Sequence, residues 1–311
     1  MRYKLEKLGC YVLIIVLLPY IITVFMNGPV IASSMDVEET SVKVKVEREE
    51  MSDTDYIEMS IKDYGIGILA REIPVSYNAE CIKAQAIIVR TRLYRELSER
   101  GSDAILNEKF FTQSDMEDAW GIAKFTGNYN KLEMAWQETE GQVLSYDGKL
   151  IYTPFFSLSN GNTRDGKEAL GKEYSYLKIK ECPLDIEEAE QVQTIVLEEE
   201  RFLSEEGQEQ PMIEVLSCDT AGYVLKVRVG EEEVNGEEFR KNYNLVSSCF
   251  SVHEYDGKLR ITTRGIGHGI GLSQNTANKM AESGKTAEEI LVYFFEGCKI
   301  NEVADMVVQK Y

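Results

Sequence analysis

Apolar residues recur at helical spacing in two neighbouring segments, 63–73 and 78–100. In the second, Ile82, Ala86, Val89 and Leu93 share one face, which predicts a long helix that buries this stripe with Cys81. Pro74 stops the first helix, so Glu72 sits at a helix end, on a fixed backbone. Residues 104–128 read as irregular, with Trp120 and other aromatics that can pack or stack on a sugar, and 132–140 read as helix ended by Gly141. The period then changes to two. Segments 142–146 and 149–156 flank Asp147-Gly148, 213–218 precedes 223–229, and 249–255 faces 258–263 across Asp256-Gly257, all in the manner of hairpins. Residues 56–61 alternate as a short strand. The predicted fold class is α+β, a single domain with helices flanking a strand-rich middle.

The N-terminus differs. Arg2, Lys4 and Lys7 precede an apolar run from Cys10 to Met26, broken only by Pro19 and Thr23. The run predicts a transmembrane helix over 10–26 behind a cytoplasmic tail of residues 1–9, with the remainder extracytoplasmic on a single-pass cell-membrane protein. A cleaved signal segment is the alternative, since Val30-Ile31-Ala32 offers small residues for cleavage. Residues 27–54, rich in acids and lysines, read as a stalk, and 55–311 as the globular domain.

Composition narrows the function. A formal net charge of −19 over 311 residues argues against a nucleic-acid partner, which calls for a basic surface. Lys83, Arg90, Arg92 and Arg264 are compatible with a locally basic cleft in an acidic body, and equally with solvated helix faces. Ten acidic residues between Asp185 and Glu209 read as solvated surface. The six cysteines show no zinc or redox spacing, so no metal and no required disulfide is predicted. A Cys81–His268 nucleophile pair is disfavoured, because Cys81 precedes an apolar helix position.

The densest chemical signal is Arg264-Gly265-Ile266-Gly267-His268-Gly269-Ile270-Gly271-Leu272-Ser273-Gln274, where alternating glycines bracket one of two histidines ahead of a helix. Such a segment suits the lining of a cleft, because glycine lets a ligand approach the backbone closely. Its amides from Gly267 to Gly271 are candidate donors to a carboxylate or acetamido group. Neutral imidazole, with an ordinary pKa of about 6.5, suits His268 to hold a sugar or orient a hydroxyl. A phosphate cradle is disfavoured by the absence of a Walker lysine.

Arg71-Glu72-Ile73-Pro74, the helix from Glu80 to Tyr94, Glu138 to Gly148, the glycine–histidine segment and Glu289 to Gly297 resemble, in order, the stage II sporulation protein D (SpoIID/LytB) family. The similarity runs from Tyr56 to Lys299. It implies a peptidoglycan lytic transglycosylase of sporulation and engulfment, acting on glycan strands stripped of stem peptides. In that chemistry one glutamate, here Glu72, acts first as acid and then as base, and needs neither a second carboxylate nor a cofactor. The resemblance also makes Lys83, Gln85, Arg90 and Thr91, the polar loop residues Ser157, Ser159, Asn160 and Gly161, and Arg264, Gly267, His268, Gly269, Ser273 and Gln274 substrate-binding candidates. Asn160 stands for an expected glycine, a substitution that positive φ tolerates in Asn. Some members carry zinc-binding His and Cys near that loop, but Phe156 precedes it here. Asn275-Thr276 stands where the family often has Trp-Gly, which implies weaker hold on a sugar ring. The implied partners are stage II sporulation proteins P, an amidase, and M. A non-catalytic, LytB-like activator of an amidase is the alternative.

Overall fold

The computed structural model describes residues 42–47, 56–197, 213–255 and 258–307. In chain order its elements begin with β1 (Lys43–Glu47), β2 (Tyr56–Ser60), α1 (Ile61–Glu72), α2 (Ala79–Arg100), β3 (Ile105–Leu106), α3 (Gln113–Trp120) and α4 (Ile122–Glu138). There follow β4 (Gln142–Tyr146), β5 (Lys149–Leu150), β6 (Phe155–Phe156), α5 (Gly166–Ala169), a 3-10 turn (Pro183–Glu187) and β7 (Val192–Leu197). The rest comprises β8 (Ile213–Cys218), β9 (Val224–Val229), β10 (Glu232–Asn235), α6 (Gly236–Asn242), β11 (Phe250–Tyr255), β12 (Lys258–Arg264), β13 (Leu272–Ser273), α7 (Gln274–Glu282), α8 (Ala287–Phe294), β14 (Lys299–Glu302) and α9 (Val303–Val307).

Two cores organise these elements. The larger is built on α2, which is buried on nearly every side, from Cys81 to Leu93, and packs against α1, α4, α7, α8 and β4. Asn78 caps its start and Gly101, at φ +98°, ends it. The smaller core lies between the sheet β10-β9-β8, the sheet β11-β12-β7 and Phe239 of α6. A parallel two-stranded link, β6 with β13, pairs Leu272 with Phe155 and Ser273 with Phe156, and so fastens the glycine–histidine segment beside the loop that follows β6.

The predicted fold class is corrected. The architecture is mixed α/β, with five small sheets among the described residues; the short strand expected over 56–61 is β2, and β1 and β14 are further strands at the two ends where helices were expected. Among the described residues no helix is long and apolar enough to cross a membrane. The expected transmembrane helix over 10–26 lies outside the described residues. Helix α2 has the length, but Glu80, Lys83, Arg90, Arg92, Arg95 and Glu96 make it a helix of a protein core.

The segment expected as a stalk contributes β1, which lies between β2 and β3 with Val44 and Val46 fully buried. Its period-two pattern, Val42-Lys43-Val44-Lys45-Val46, was hidden by the charged composition around it. The stretch expected as irregular holds α3, whose Thr112–Asp115 capping box was readable. The second strand of the first hairpin stops at Leu150, four residues before Pro154. A chain shortened to begin at residue 55 should therefore lose about 3 kcal/mol or more of stability against one beginning at residue 41, because two buried valines are removed and the core surface they cover is exposed. Urea unfolding of the two proteins measures the difference.

Candidate functional site

Helix α1 ends as Ile73 turns extended (φ −125°, ψ 136°), and this fixes Glu72 against one face of α2. Gln85 and Arg92 are seven residues apart and share that face. Arg92 donates from Nη2 to Glu72 Oε1 at 2.7 Å, and Gln85 donates from Nε2 to Oε2 at 3.4 Å. On its other side Arg92 pairs with Glu108, Nε to Oε1 at 2.6 Å. Arg92 Nε and Glu108 Oε2 are buried without a hydrogen-bond partner among the described residues.

Burial pushes the Glu72 carboxyl above its ordinary value; Arg92 pulls it back, the charge of Glu108 pushes it up again, and burial prevails. Glu108 is raised in the same way, by burial against the pull of Arg92. With 15% of its side chain exposed, Glu72 is still within reach of a ligand.

The opposite wall arrives two hundred residues later in the chain. Gln274 opens α7 and donates from Nε2 to the Glu72 carbonyl at 2.9 Å and to Gln85 Oε1 at 3.4 Å. One turn on, Asn278 Oδ1 accepts from the Asn78 N–H at 2.8 Å.

What holds α7 there is Asp185, which is 0% exposed. It accepts from four donors, the Ser159 N–H at 2.8 Å, the Ser273 hydroxyl at 2.7 Å, Asn275 Nδ2 at 3.0 Å and the Thr276 hydroxyl at 2.8 Å. These charge-assisted bonds replace its lost hydration and tie the loop after β6 to the start of α7. Asp185 was expected on a solvated acidic surface, but the polarity is inverted locally: its neighbours Leu184 and Ile186 are 44% and 57% exposed.

The glycine–histidine segment also departs from expectation. All four glycines have positive φ, +75°, +113°, +77° and +82° in chain order. A Cβ would stand 2.0 Å from the Pro154 carbonyl oxygen at Gly271 and 2.3 Å from the Tyr223 ring at Gly269. The close approach that glycine permits is therefore made by the protein itself. Amides of the segment are likewise engaged: Gly267 bonds to Val246 O at 2.7 Å and Leu272 to Pro154 O at 3.0 Å.

His268 is part of this packing. Its Nδ1 accepts from the Ile270 N–H at 3.1 Å, its ring lies 5.8 Å from that of Phe156, and its carbonyl accepts from Arg164 at 3.3 Å. Burial lowers its pKa to about 4, so the imidazole is neutral at physiological pH. The Arg92 guanidinium, which holds Glu72, stands 5.7 Å over the ring of Phe155, next in sequence to Phe156.

The family profile of the stage II sporulation protein matches residues 49–146. Stage II sporulation protein D of Bacillus amyloliquefaciens is 30% identical over 288 residues, covering 88% of this chain and 83% of its own. The chain belongs to the stage II sporulation protein D family. The protein of that name from Bacillus subtilis (strain 168) is 29% identical over 81% of this chain and 77% of its own. An amidase enhancer of the same organism is 22% identical over 74% of this chain and 39% of its own.

Within this family member the expected site residues divide. Glu72, Gln85 and Gln274 come together. Ser159 and Ser273 stand behind them on Asp185, and Ser157, exposed, accepts the Asn275 N–H through its carbonyl at 3.1 Å. Lys83, Arg90 and Thr91 point elsewhere on α2. Lys83 pairs with Glu80 at 2.7 Å and with Glu138 at 2.6 Å. Arg90, 0% exposed, donates to the Trp136 carbonyl at 2.8 Å and stacks on its ring at 4.1 Å, so it is a core residue. Thr91 accepts the Leu144 N–H at 2.8 Å and pins β4.

Asn160 keeps a negative φ and spends its side chain on the Ala221 carbonyl at 2.8 Å, while Gly161 takes the positive φ of +112°. Arg264 is exposed at the end of β12. Glu108 and Asp185 were missed as site residues, and Arg92 was read only as one of four basic residues of a possible cleft. Lys83 and Arg90 are seven residues apart on α2, and so are Gln85 and Arg92. Only the packing chooses the face. Among the described residues no cluster of His, Cys, Asp and Glu suited to a metal is present.

Asp185→Ala leaves four donors unpaired and should cost roughly 3 kcal/mol or more, with a smaller loss for Asp185→Asn, as read from thermal unfolding. His268 stays neutral in the fold but protonates once unfolded, so its contribution is complete above pH 6.5 and is lost as pH falls toward about 4. The loss should be roughly 3 kcal/mol. Unfolding measured across that window should show a shallower acid dependence in His268→Gln than in the parent.

Proposed function

We propose that this chain is a peptidoglycan lytic transglycosylase in which Glu72 is the general acid and base. The observation that carries the reading is a buried carboxyl whose protonated form is favoured by burial and whose ionised form is favoured by Arg92 at 2.7 Å. A residue that must first give and then take a proton needs both forms within reach.

Protonated Glu72 gives its proton to the glycosidic oxygen as the C1–O bond breaks, and positive charge develops on the sugar ring. The carboxylate then takes the proton of the sugar's 6-hydroxyl as that oxygen closes on C1, giving the anhydro ring and restoring the acid. Oε2, held only by the long contact to Gln85, suits the proton. Oε1 on Arg92 suits the charge. Gln274 contributes by fixing the Glu72 backbone. The substrate would be extracytoplasmic glycan already stripped by an amidase, with stage II sporulation proteins P and M as proposed partners.

One observation favours a second reading. Arg92 occupies Oε1 in an ion pair, an arrangement that also suits a purely structural glutamate, and a relative is an amidase enhancer. The chain would then bind glycan and stimulate an amidase without cutting.

Stripped glycan incubated with the full-length chain should acquire anhydro ends detectable by mass spectrometry, and Glu72→Gln should reduce their formation at least about 100-fold. Undiminished anhydro product in that variant would remove Glu72 from the chemistry. Stimulation of an amidase with no anhydro ends from the parent would establish the second reading.

A further inference from the structure

The segment after β3 brings a second carboxylate to the Glu72 site, and several contacts place it there. Leu106, fully buried, ends β3 beside Val46 of β1. Two residues on, the Glu108 carbonyl accepts from the Tyr64 hydroxyl of α1 at 2.8 Å. Phe110 meets the Tyr64 ring edge-on at 5.3 Å, and the Phe111 N–H donates to the Gly67 carbonyl at 3.0 Å. Glu108 is thus fastened to the same helix whose last residue is Glu72.

Both carboxylates meet Arg92 on one edge. Nε and Nη2 form the edge of a guanidinium that can grip a single carboxylate with two parallel bonds. Here that edge is divided, since Nη2 donates to Glu72 Oε1 at 2.7 Å while Nε stands 2.6 Å from Glu108 Oε1 with its N–H unspent. Glu72 therefore receives one bond from a fork that could supply two. Glu108 Oε2 is buried with no hydrogen-bond partner among the described residues, although a carboxylate serving the fold alone is expected to satisfy both oxygens. Facing this set are Glu96 on α2, Tyr64 on α1 and Tyr152 on the segment after β5, and α7 brings the uncharged Gln274. Burial pushes the Glu72 carboxyl up, Arg92 pulls it down, and the charge of Glu108 adds to the push.

We propose that Glu108 is a positioning residue for the chemistry of Glu72: by engaging Arg92 at Nε it keeps the guanidinium fork divided between two carboxylates, so that Glu72 is held through one oxygen and the other stays open to a proton. This role rests on the reading of Glu72 as acid and base. It adds a residue that acts only through Arg92. With Glu108 neutral or absent, the whole fork is released to Glu72, whose anion then gains a second charge-assisted bond and loses a neighbouring negative charge. Both changes make Glu72 a poorer holder of the proton that it must give.

Glu108→Gln and Glu108→Ala both remove the charge from the full-length chain, and either folded variant decides. Titration of the Glu72 carboxyl is followed by carbon NMR of glutamate-labelled protein, its signal assigned by loss in Glu72→Gln. The Glu72 midpoint should fall by at least about one pH unit in these variants, the size of shift that an adjacent charge produces. The limb of kcat/KM for anhydro-end formation that declines with rising pH should move down with it. Glu108→Asp, which keeps the charge, should stay near the parent in both readouts. In an Arg92→Lys background, which has the charge but no fork, Glu108→Gln should move the midpoint by less than about half as much. An unmoved or raised midpoint, an equal shift in the Arg92→Lys background, or an activity loss equal at every pH would overturn the role, because a residue serving the fold alone moves neither limb nor midpoint. A parent that forms no anhydro ends, while its Glu72 midpoint still falls in Glu108→Gln, would sink the catalytic reading alone and leave the division of Arg92 standing.

Discussion

A buried carboxylate organises this protein's site. Asp185 has no access to water, and four donors from two distant stretches of chain must converge on it for its charge to be tolerated. One stretch is the loop after β6 and the other is the start of α7. Because both are fastened to the same two oxygens, Gln274 is delivered to the Glu72 carbonyl with little freedom left. The glycines ahead of α7 serve the same end, since only residues without Cβ allow Pro154 and Tyr223 to close on that backbone.

At Glu72 two effects oppose each other, and burial prevails. Burial penalises the anion, Arg92 rewards it, and Glu108 competes for the same guanidinium. The net effect is a carboxyl pKa above its ordinary value. The arrangement is costly for the fold. A raised carboxyl pKa means that the ionised form is less favourable in the native than in the unfolded chain, so Glu72 and Glu108 oppose stability as pH rises through their native values. The same burial keeps His268 neutral, and its demand runs the other way, so acid strains the histidine while relieving the glutamates.

Charge is distributed on a larger scale as well. The acidic excess keeps the molecule away from polyanions in general.

The sequence by itself determined the two central helices, the hairpins β8–β9 and β11–β12, and Glu72 at a helix end, because local periodicity and chain-breaking residues are properties of neighbours along the chain. It also held the family resemblance in ordered segments. It misplaced β1, whose valine alternation is masked by charge, and passed over Asp185, whose apolar neighbours turn outward while it turns in. It offered Lys83, Gln85, Arg90 and Thr91 together, yet the face of α2 that meets Glu72 carries Gln85 and Arg92. Which face of a helix looks at the Glu72 carboxyl, and which acid is buried, follow from contacts between residues up to two hundred positions apart. Tertiary structure alone decided them, since the energy of a charge depends on what surrounds it and not on what precedes it in the chain.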